Sequence, residues 1–566
     1  MAKRARNREK TSVRASASRA AFDVGAIAVV AASLLAFFPA LSGGFVWDDL
    51  DYVKNNPILR ANAGSAIAHL ATSVVVGNYH PLTMASLALD NALLGPAPFI
   101  FHATNVLLHA LNAFLVGRLA IALGFRRDAA WAGALLWAVH PLRVESVAWI
   151  SGRKDVLYVA FFLSALLAYL RHAKANAGIG RPYALALALF SGSLLSKGAA
   201  VAFVPLVFVV DWFVGRKPTT RTIAEKIPFV GLAVVVGLVA IGAQETAGAI
   251  PTGQEYSLLA RLAIACYGLA FYVVKTIAPW GLSALYPYPS EAGALPRGSL
   301  LAVISVVAFG CVLVGYRKRL RTGVLAAGFY VATVALVLQL FPVGGAVAAD
   351  RYAYLPAVGC ALAIAAGLSA IPFRRSIAAG VIVLAVVLSG ATWARCAVWH
   401  DALSLWNDVL SKYPDAAIAH QNRGVARADL GDHRGAIADY DAAIAESPGF
   451  ADAWANRGGS KADLRELDGA FRDLTEAIRL DPQRATYRFN LGLVLGDLGR
   501  WDEALASLSE AIRLKPDFAS AYLNRGLALE QVGRAVEGAP DVMRAKALGY
   551  PVNPAVLRRF ESAVSR

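Results

Sequence analysis

Up to residue 396 the chain is a succession of long apolar runs separated by short polar stretches. A run of about 18 or more apolar residues is the minimum for a membrane helix. Segments near 22–41, 99–122, 129–141, 156–170, 182–195, 199–214, 228–246, 299–316, 322–342, 352–371 and 376–394 read as spans, about eleven in all. From residue 397 onward charged residues recur throughout. The expected fold class is therefore all-α: a polytopic membrane helix bundle followed by a soluble helical region. A wholly soluble protein is excluded by 57% hydrophobic residues, 17% charged residues and a mean hydropathy of +0.51. The first run could be a signal peptide, with Ala40-Leu41-Ser42 resembling a cleavage site. Its length favours an uncleaved anchor.

The net charge of +16 belongs to the membrane half. Residues from 397 carry 21 Lys+Arg against 24 Asp+Glu, leaving 34 against 15 before them. That asymmetry fits the positive-inside rule and gives no sign of nucleic acid as a partner. The basic clusters fall in alternate loops: Lys3 to Arg19, Arg126/Arg127, Arg171 to Arg181, Arg216 to Lys226, Arg317 to Arg321 and Arg374/Arg375. Putting these in the cytoplasm sends the loops holding Asp48, His80, Glu145, Lys197 and Arg351 to the opposite face. Residues 258–280 carry Arg261 and Lys275 and are read as interfacial or re-entrant. The odd number of spans then puts the C-terminal region on the outer face as well. The expected location is a bacterial inner membrane, with the C-terminal domain in the periplasm. The absence of any Asn-x-Ser/Thr sequon points away from an ER lumen.

The soluble region repeats itself. Proline recurs at 414, 448, 482 and 516, and glycine at 424, 458, 492 and 526, both with a period of 34. Alanines 436, 470 and 504 keep phase, as do 443, 477, 511 and 545. That period, with small residues where paired helices cross, is the tetratricopeptide (TPR) pattern. The expected organisation is a basic cytoplasmic N-terminus (1–20), a transmembrane domain (21–396) with an acidic first outer loop (42–98), a half-repeat junction (397–416), a TPR array (417–552) and a C-terminal tail (553–566). The fourth repeat is degenerate, with Gly538 where alanine is expected.

The polar residues of the outer face carry the chemistry. Asp48 and Asp49 follow the first span. Adjacent carboxylates raise one another's pKa and could act as a general base toward a hydroxyl or hold a divalent cation. Asp49 stands further from the span and is the preferred base. Arg153, Lys154, Lys197 and Arg351 are cations at span ends on a face the positive-inside rule disfavours, so they are candidate ligands for a lipid phosphate. Glu145 and Asp155 could orient those cations, with His80 and Tyr354 in support. The four cysteines show no metal-ligand spacing, and His80, His102, His109 and His140 form no zinc motif. A packing or hydrogen-bonding role is expected for these histidines. No metal site is assigned outside Asp48/Asp49, and no cofactor beyond that divalent cation.

Several motifs occur in order: "FVWDDLDYVKNNP", "HPLTMASLALDNALLGPAPFIFHATNVLLHALNAFLV", "AVHPLRVESVAWISGRKDVL", "SKGAAVAFVPLVFVVD", "DRYAYLPAVG" and "VWHDALSLWNDVLSKYPDAAIAHQNRG". With the terminal array, they resemble the transmembrane-and-TPR-containing O-mannosyltransferases and their bacterial relatives among the GT-C glycosyltransferases. The resemblance implies transfer of a sugar from a polyprenyl-phosphate carrier to an acceptor hydroxyl outside the cytoplasm, with inversion and with Asp48/Asp49 catalytic. It also implies a protein acceptor or partner in the TPR groove. Ser196-Lys197-Gly198 departs from the Lys-Glu pair more common in animal members, so donor sugar and acceptor stay open. A membrane-anchored TPR scaffold is the competing reading, and a lipid-linked glycan transporter a third.

Overall fold

The computed structural model describes residues 23–56, 59, 70, 74–176, 178–246, 256–289, 293–340 and 345–565. The basic N-terminus expected in the cytoplasm lies outside the described residues. The chain forms two compact units, residues 1–405 and 406–566.

The first unit is helical. Among the described residues, five helices are long and apolar enough to cross a membrane: Pro98–Ala122, Ile150–Ala175, Thr220–Gln244, Leu258–Ile277 and Arg375–Val398. Five shorter apolar helices accompany them: Val24–Ala36, Gly198–Val214, Ser299–Gly315, Arg321–Val337 and Ala357–Ser369. Two segments, one expected as a span and one as interfacial, look different in three dimensions. Residues 129–141 become a 12-residue helix, Arg127–Ala138, largely buried among its neighbours. Residues 258–280, read as interfacial, contain the continuous apolar helix Leu258–Ile277.

Lipid supplies no hydrogen bonds, so helices within a bilayer are joined by small-residue contacts and internal polar pairs. A Cβ at Gly133 would stand 2.6 Å from the Ala361 carbonyl oxygen, so only glycine lets Arg127–Ala138 lie this close to Ala357–Ser369. Along Pro98–Ala122, Asn105, His109 and Asn112 share one buried face at helical spacing. Asn105 Nδ2 donates to the Trp149 carbonyl at 2.9 Å, and Asn112 Nδ2 to that of Val156 at 2.8 Å. The His109 ring nitrogens meet the Ala138 carbonyl and the Tyr354 hydroxyl, both at 2.8 Å. His102 and His140 are also hydrogen-bonded to backbone carbonyls, those of Gly43 and Thr276.

Segments far apart in sequence converge at one end of this unit. A two-stranded antiparallel ribbon joins Tyr286–Pro287 to Ala346–Ala348. The turn after Ala348 carries Asp350 and Arg351 to the loops around Glu145 and Trp47.

The second unit stacks four helix pairs: Ala417–Asp429 with His433–Glu446, Ala451–Asp463 with Leu467–Leu480, Ala485–Asp497 with Trp501–Leu514, and Ala519–Gln531 with Ala535–Ala547. The repeating glycine of each first helix meets the residue sixteen positions later: Gly424 meets Tyr440, Gly458 Leu474, Gly492 Leu508 and Gly526 Val542. The departure at Gly538 has a steric cause. A Cβ there would stand 2.7 Å from the Gly526 carbonyl oxygen and 3.0 Å from the Phe560 ring. Phe560 is fully buried and belongs to a further helix, Pro554–Val564, within the stretch expected as a tail.

Ion pairs repeat at the same spacing. Arg423 pairs with Asp439, Arg457 with Asp473 and Arg525 with Asp541. The third repeat replaces both partners together, by Leu491 and Ser507, so neither is left unmatched. Asp473→Ala removes the carboxylate shared by Arg457 and Lys461, leaving Arg457 its pairing with Asp441, and is expected to cost about 2 kcal/mol. Ser507→Ala loses one hydrogen bond, to the Arg488 carbonyl at 2.7 Å, and about 1 kcal/mol. Thermal melts of the full chain followed by circular dichroism would separate the two.

Candidate active site

The chain enters the site through a strained turn. Trp47 has a left-handed φ of 54°, a conformation costing a bulky residue about 1–3 kcal/mol. Its indole stacks on that of Trp149, with centroids 5.1 Å apart and planes inclined by 17°.

The next two residues have different surroundings. Asp49 is buried and accepts from the Val46 N–H at 3.0 Å, the Ser151 N–H at 2.7 Å and the Ser151 hydroxyl at 2.5 Å. Burial nevertheless pushes its carboxyl up to about 7. Asp48 is partly exposed, and its carboxylate accepts no hydrogen bond among the described residues. Burial raises its pKa too, while Lys154 and Arg351 pull the other way.

Lys154 lies between two rings, its Nζ 4.7 Å from the centroid of Tyr52 and 4.6 Å from that of Trp149. Cation–π attraction holds the ammonium without using its N–H groups, and it donates no hydrogen bond among the described residues. Arg351 is fixed at one edge: its backbone N–H donates to Glu145 Oε2 at 2.8 Å, and Nη1 pairs with Oε1 of the same carboxylate. Its guanidinium lies over Trp47, Trp149 and Tyr352, with centroids at 5.5, 5.6 and 4.9 Å. Burial works against its charge, but Glu145 outweighs it and keeps Arg351 firmly protonated. Burial raises the Glu145 carboxyl, and Arg351 opposes that rise.

His80 closes another side. Its ring stacks on Tyr52 at 5.3 Å. It is buried, its Nε2 has no hydrogen-bond partner among the described residues, and burial beside Lys154 and Lys197 lowers its pKa to about 3. The imidazole is neutral there. Asp350, one residue before Arg351, is buried, and its carboxyl is pushed up to about 7. It accepts from the Tyr286 hydroxyl at 2.7 Å.

Three expected site residues have other commitments. Arg153 uses four of its five N–H groups internally: to Asn105 Oδ1 at 2.6 Å, Ser86 Oγ at 2.7 Å, Asp90 Oδ2 at 2.6 Å and the Phe101 carbonyl at 3.0 Å. Lys197 is paired with Asp155, so its charge is balanced locally. The Tyr354 hydroxyl belongs to the His109–Asn112 network. The structure thus brings together Asp48, Lys154, Arg351, Glu145 and His80. Trp47, Tyr52, Trp149 and Tyr352, which wall this cluster, were not singled out in the sequence. The signal was present: an aromatic lies within a few residues of each charged group, in "VWDDLDY", "AWISGRKD" and "DRYAY".

The C-terminal residues match family models described as "TPR repeat" (494–533) and "Tetratricopeptide repeat" (399–451 and 423–485). The mouse protein O-mannosyl-transferase TMTC1 is 36% identical over 208 residues, 33% of this chain and 22% of its own. The worm protein O-mannosyl-transferase F38B6.6 is 24% identical over 400 residues, 67% of this chain and 56% of its own.

The chain resembles the TMTC protein O-mannosyl-transferases. Human TMTC4 adds 26% identity over 418 residues, 62% of this chain and 55% of that one. The chain therefore spans from about a fifth to just over half of the TMTC relatives it matches. Among solved structures, the crystal structure of MamA protein is 26% identical over 26% of this chain and 80% of its own, with a TM-score of 0.24.

Proposed function

We propose that this protein is a membrane glycosyltransferase of the GT-C type. It moves a sugar, mannose by analogy with the relatives' names, from a polyprenyl-phosphate carrier to a hydroxyl on a protein, on the periplasmic face of a bacterial inner membrane. The observation that carries the reading is the grouping of one carboxylate unpaired among the described residues, Asp48, with two cations whose N–H groups are not all spent there, Lys154 and Arg351.

The reaction is a single displacement with inversion. Asp48 accepts the proton of the acceptor hydroxyl as its oxygen attacks the anomeric carbon, a contribution of roughly 10²–10⁴-fold. The bond from that carbon to the phosphate oxygen breaks, and the negative charge passes to the leaving lipid phosphate. Lys154, its N–H groups unspent, and the edges of Arg351 not held by Glu145 stabilise that charge. Glu145 keeps Arg351 oriented, and the aromatic walls limit water. Asp49 fixes the loop and Arg153 the helix beneath it, so of the acidic pair Asp48 is the base, the reverse of the preference drawn from distance to the span. A divalent cation at Asp48 would supply charge to the same phosphate and stays open to test. The TPR array presents the protein acceptor, a role supported by the repeat match.

Lys154→Met keeps the length and ring packing of the side chain and removes its charge. Comparative glycoproteomics of a deletion strain complemented with wild type or Lys154→Met is the test. Modification restored by wild type and reduced about 10²-fold by the variant supports the proposal. An envelope glycoproteome unchanged by the deletion overturns it.

A further inference from the structure

A second charged cluster lies where the two basic loops at 171–181 and 216–226 meet, away from the site described above. Buried groups neutralise one another at its core. Asp211 pairs with Lys226 and accepts from the Tyr169 hydroxyl at 3.0 Å. Glu225 meets His172 at 3.1 Å, Arg216 Nη2 at 2.6 Å and Arg221 Nε at 3.2 Å. Above this core opens a cavity of about 780 Å³. Lys174, Arg216, Lys217 and Arg221 form its polar wall, and Leu123 and Phe213 lie on its apolar side.

Arg216 marks the cavity as a binding site. Its side chain is only 3% exposed, yet its Nη1 has no hydrogen-bond partner among the described residues. The Asp211 carboxylate oxygen Oδ2 is 3.7 Å away and already paired with Lys226. A buried guanidinium N–H left without an acceptor costs about 1–3 kcal/mol, which a bound anion would remove. Gly215, in the left-handed region at φ 81°, ends the preceding helix and turns the chain directly into Arg216. Two candidate spans, Ile150–Ala175 and Thr220–Gln244, and the shorter apolar helix Gly198–Val214 end or begin here. The cavity therefore lies at a boundary between lipid and water, with cations on one wall and apolar side chains on another.

We infer that this cavity binds a phosphate group, the headgroup of an anionic phospholipid, with Arg216 as the buried ligand and Lys174, Lys217 and Arg221 at the rim. Basic pockets between membrane helices recognise anionic headgroups through this combination of charge and apolar ledge. The inference does not depend on the proposed glycosyl transfer, since none of its residues belongs to that site.

The test measures the melting temperature of the purified full chain in detergent. The additives are phosphatidylglycerol, phosphatidylcholine or inorganic phosphate. Lys174→Gln/Lys217→Gln removes two exposed rim cations that take no part in the ion pairs of the buried core. Arg317→Gln/Arg319→Gln, in a different basic loop, is the control. Wild type and control are expected to be stabilised by phosphatidylglycerol and not by phosphatidylcholine. The rim variant is expected to need roughly twentyfold more of it, at about fivefold per cation. Stabilisation by phosphatidylglycerol alone assigns the headgroup, and an equal, rim-dependent effect of inorganic phosphate assigns phosphate itself as the ligand. Equal responses of wild type and rim variant in both arms overturn the pocket.

Discussion

Replacing Asp48 by Asn is expected to lower turnover by about 10²–10⁴-fold while the protein still inserts, folds and binds its lipid donor. Asn has nearly the same volume and hydrogen-bonding reach, but it cannot take a proton at working pH. Because the Asp48 carboxylate accepts no hydrogen bond among the described residues, the substitution leaves no donor stranded, and the melting temperature should stay close to wild type. The pH profile offers a second readout. Burial raises the Asp48 pKa, and the base works only when ionised. Hence kcat/KM of the wild type should rise with pH through a limb displaced above the ordinary carboxylate range, and that limb should vanish in Asp48→Asn. If EDTA abolishes activity and a divalent cation restores it, Asp48 is a metal ligand and not the base. Full complementation of a deletion strain by Asp48→Asn would remove the transferase reading and leave the membrane-anchored scaffold.

Asp49→Ala is expected to fail for a different reason. It strands the Val46 N–H, the Ser151 N–H and the Ser151 hydroxyl in a buried place. Each buried donor left unpaired costs about 1–3 kcal/mol, so the loss is several kcal/mol. A large fall in melting temperature, followed by tryptophan fluorescence, should accompany a similar loss of folded protein in the membrane. Activity per folded molecule should fall less than in Asp48→Asn. A stable Asp49→Ala protein with no turnover would exchange the roles of the two residues.

The adjacent acids illustrate how far the sequence reaches. "WDD" identified the pair as unusual, and distance from the span favoured the second. The structure separates them through Ser151, about a hundred residues away, whose N–H and hydroxyl hold Asp49. The cations divide in the same manner. Arg153 and Lys154 are neighbours on one helix, yet Asp90 and Asn105 take the first, while the second rests between Tyr52 and Trp149. Lys197 looked equivalent to them until its pairing with Asp155 was visible.

The sequence by itself determined what is periodic or local. Apolar runs dictate helices because backbone in lipid has no other hydrogen-bond partner. The 34-residue recurrence of small residues dictates a helical array because each helix pair must close on a glycine or alanine. Only the tertiary structure decided which charges are spent and which are available. That outcome depends on contacts between loops separated by tens to hundreds of residues, as between Glu145 and Arg351, and no local pattern encodes such pairings. A charge buried beside its partner and a charge facing a cavity can be the same residue type in the same motif. Their energies differ only through what the fold places next to them.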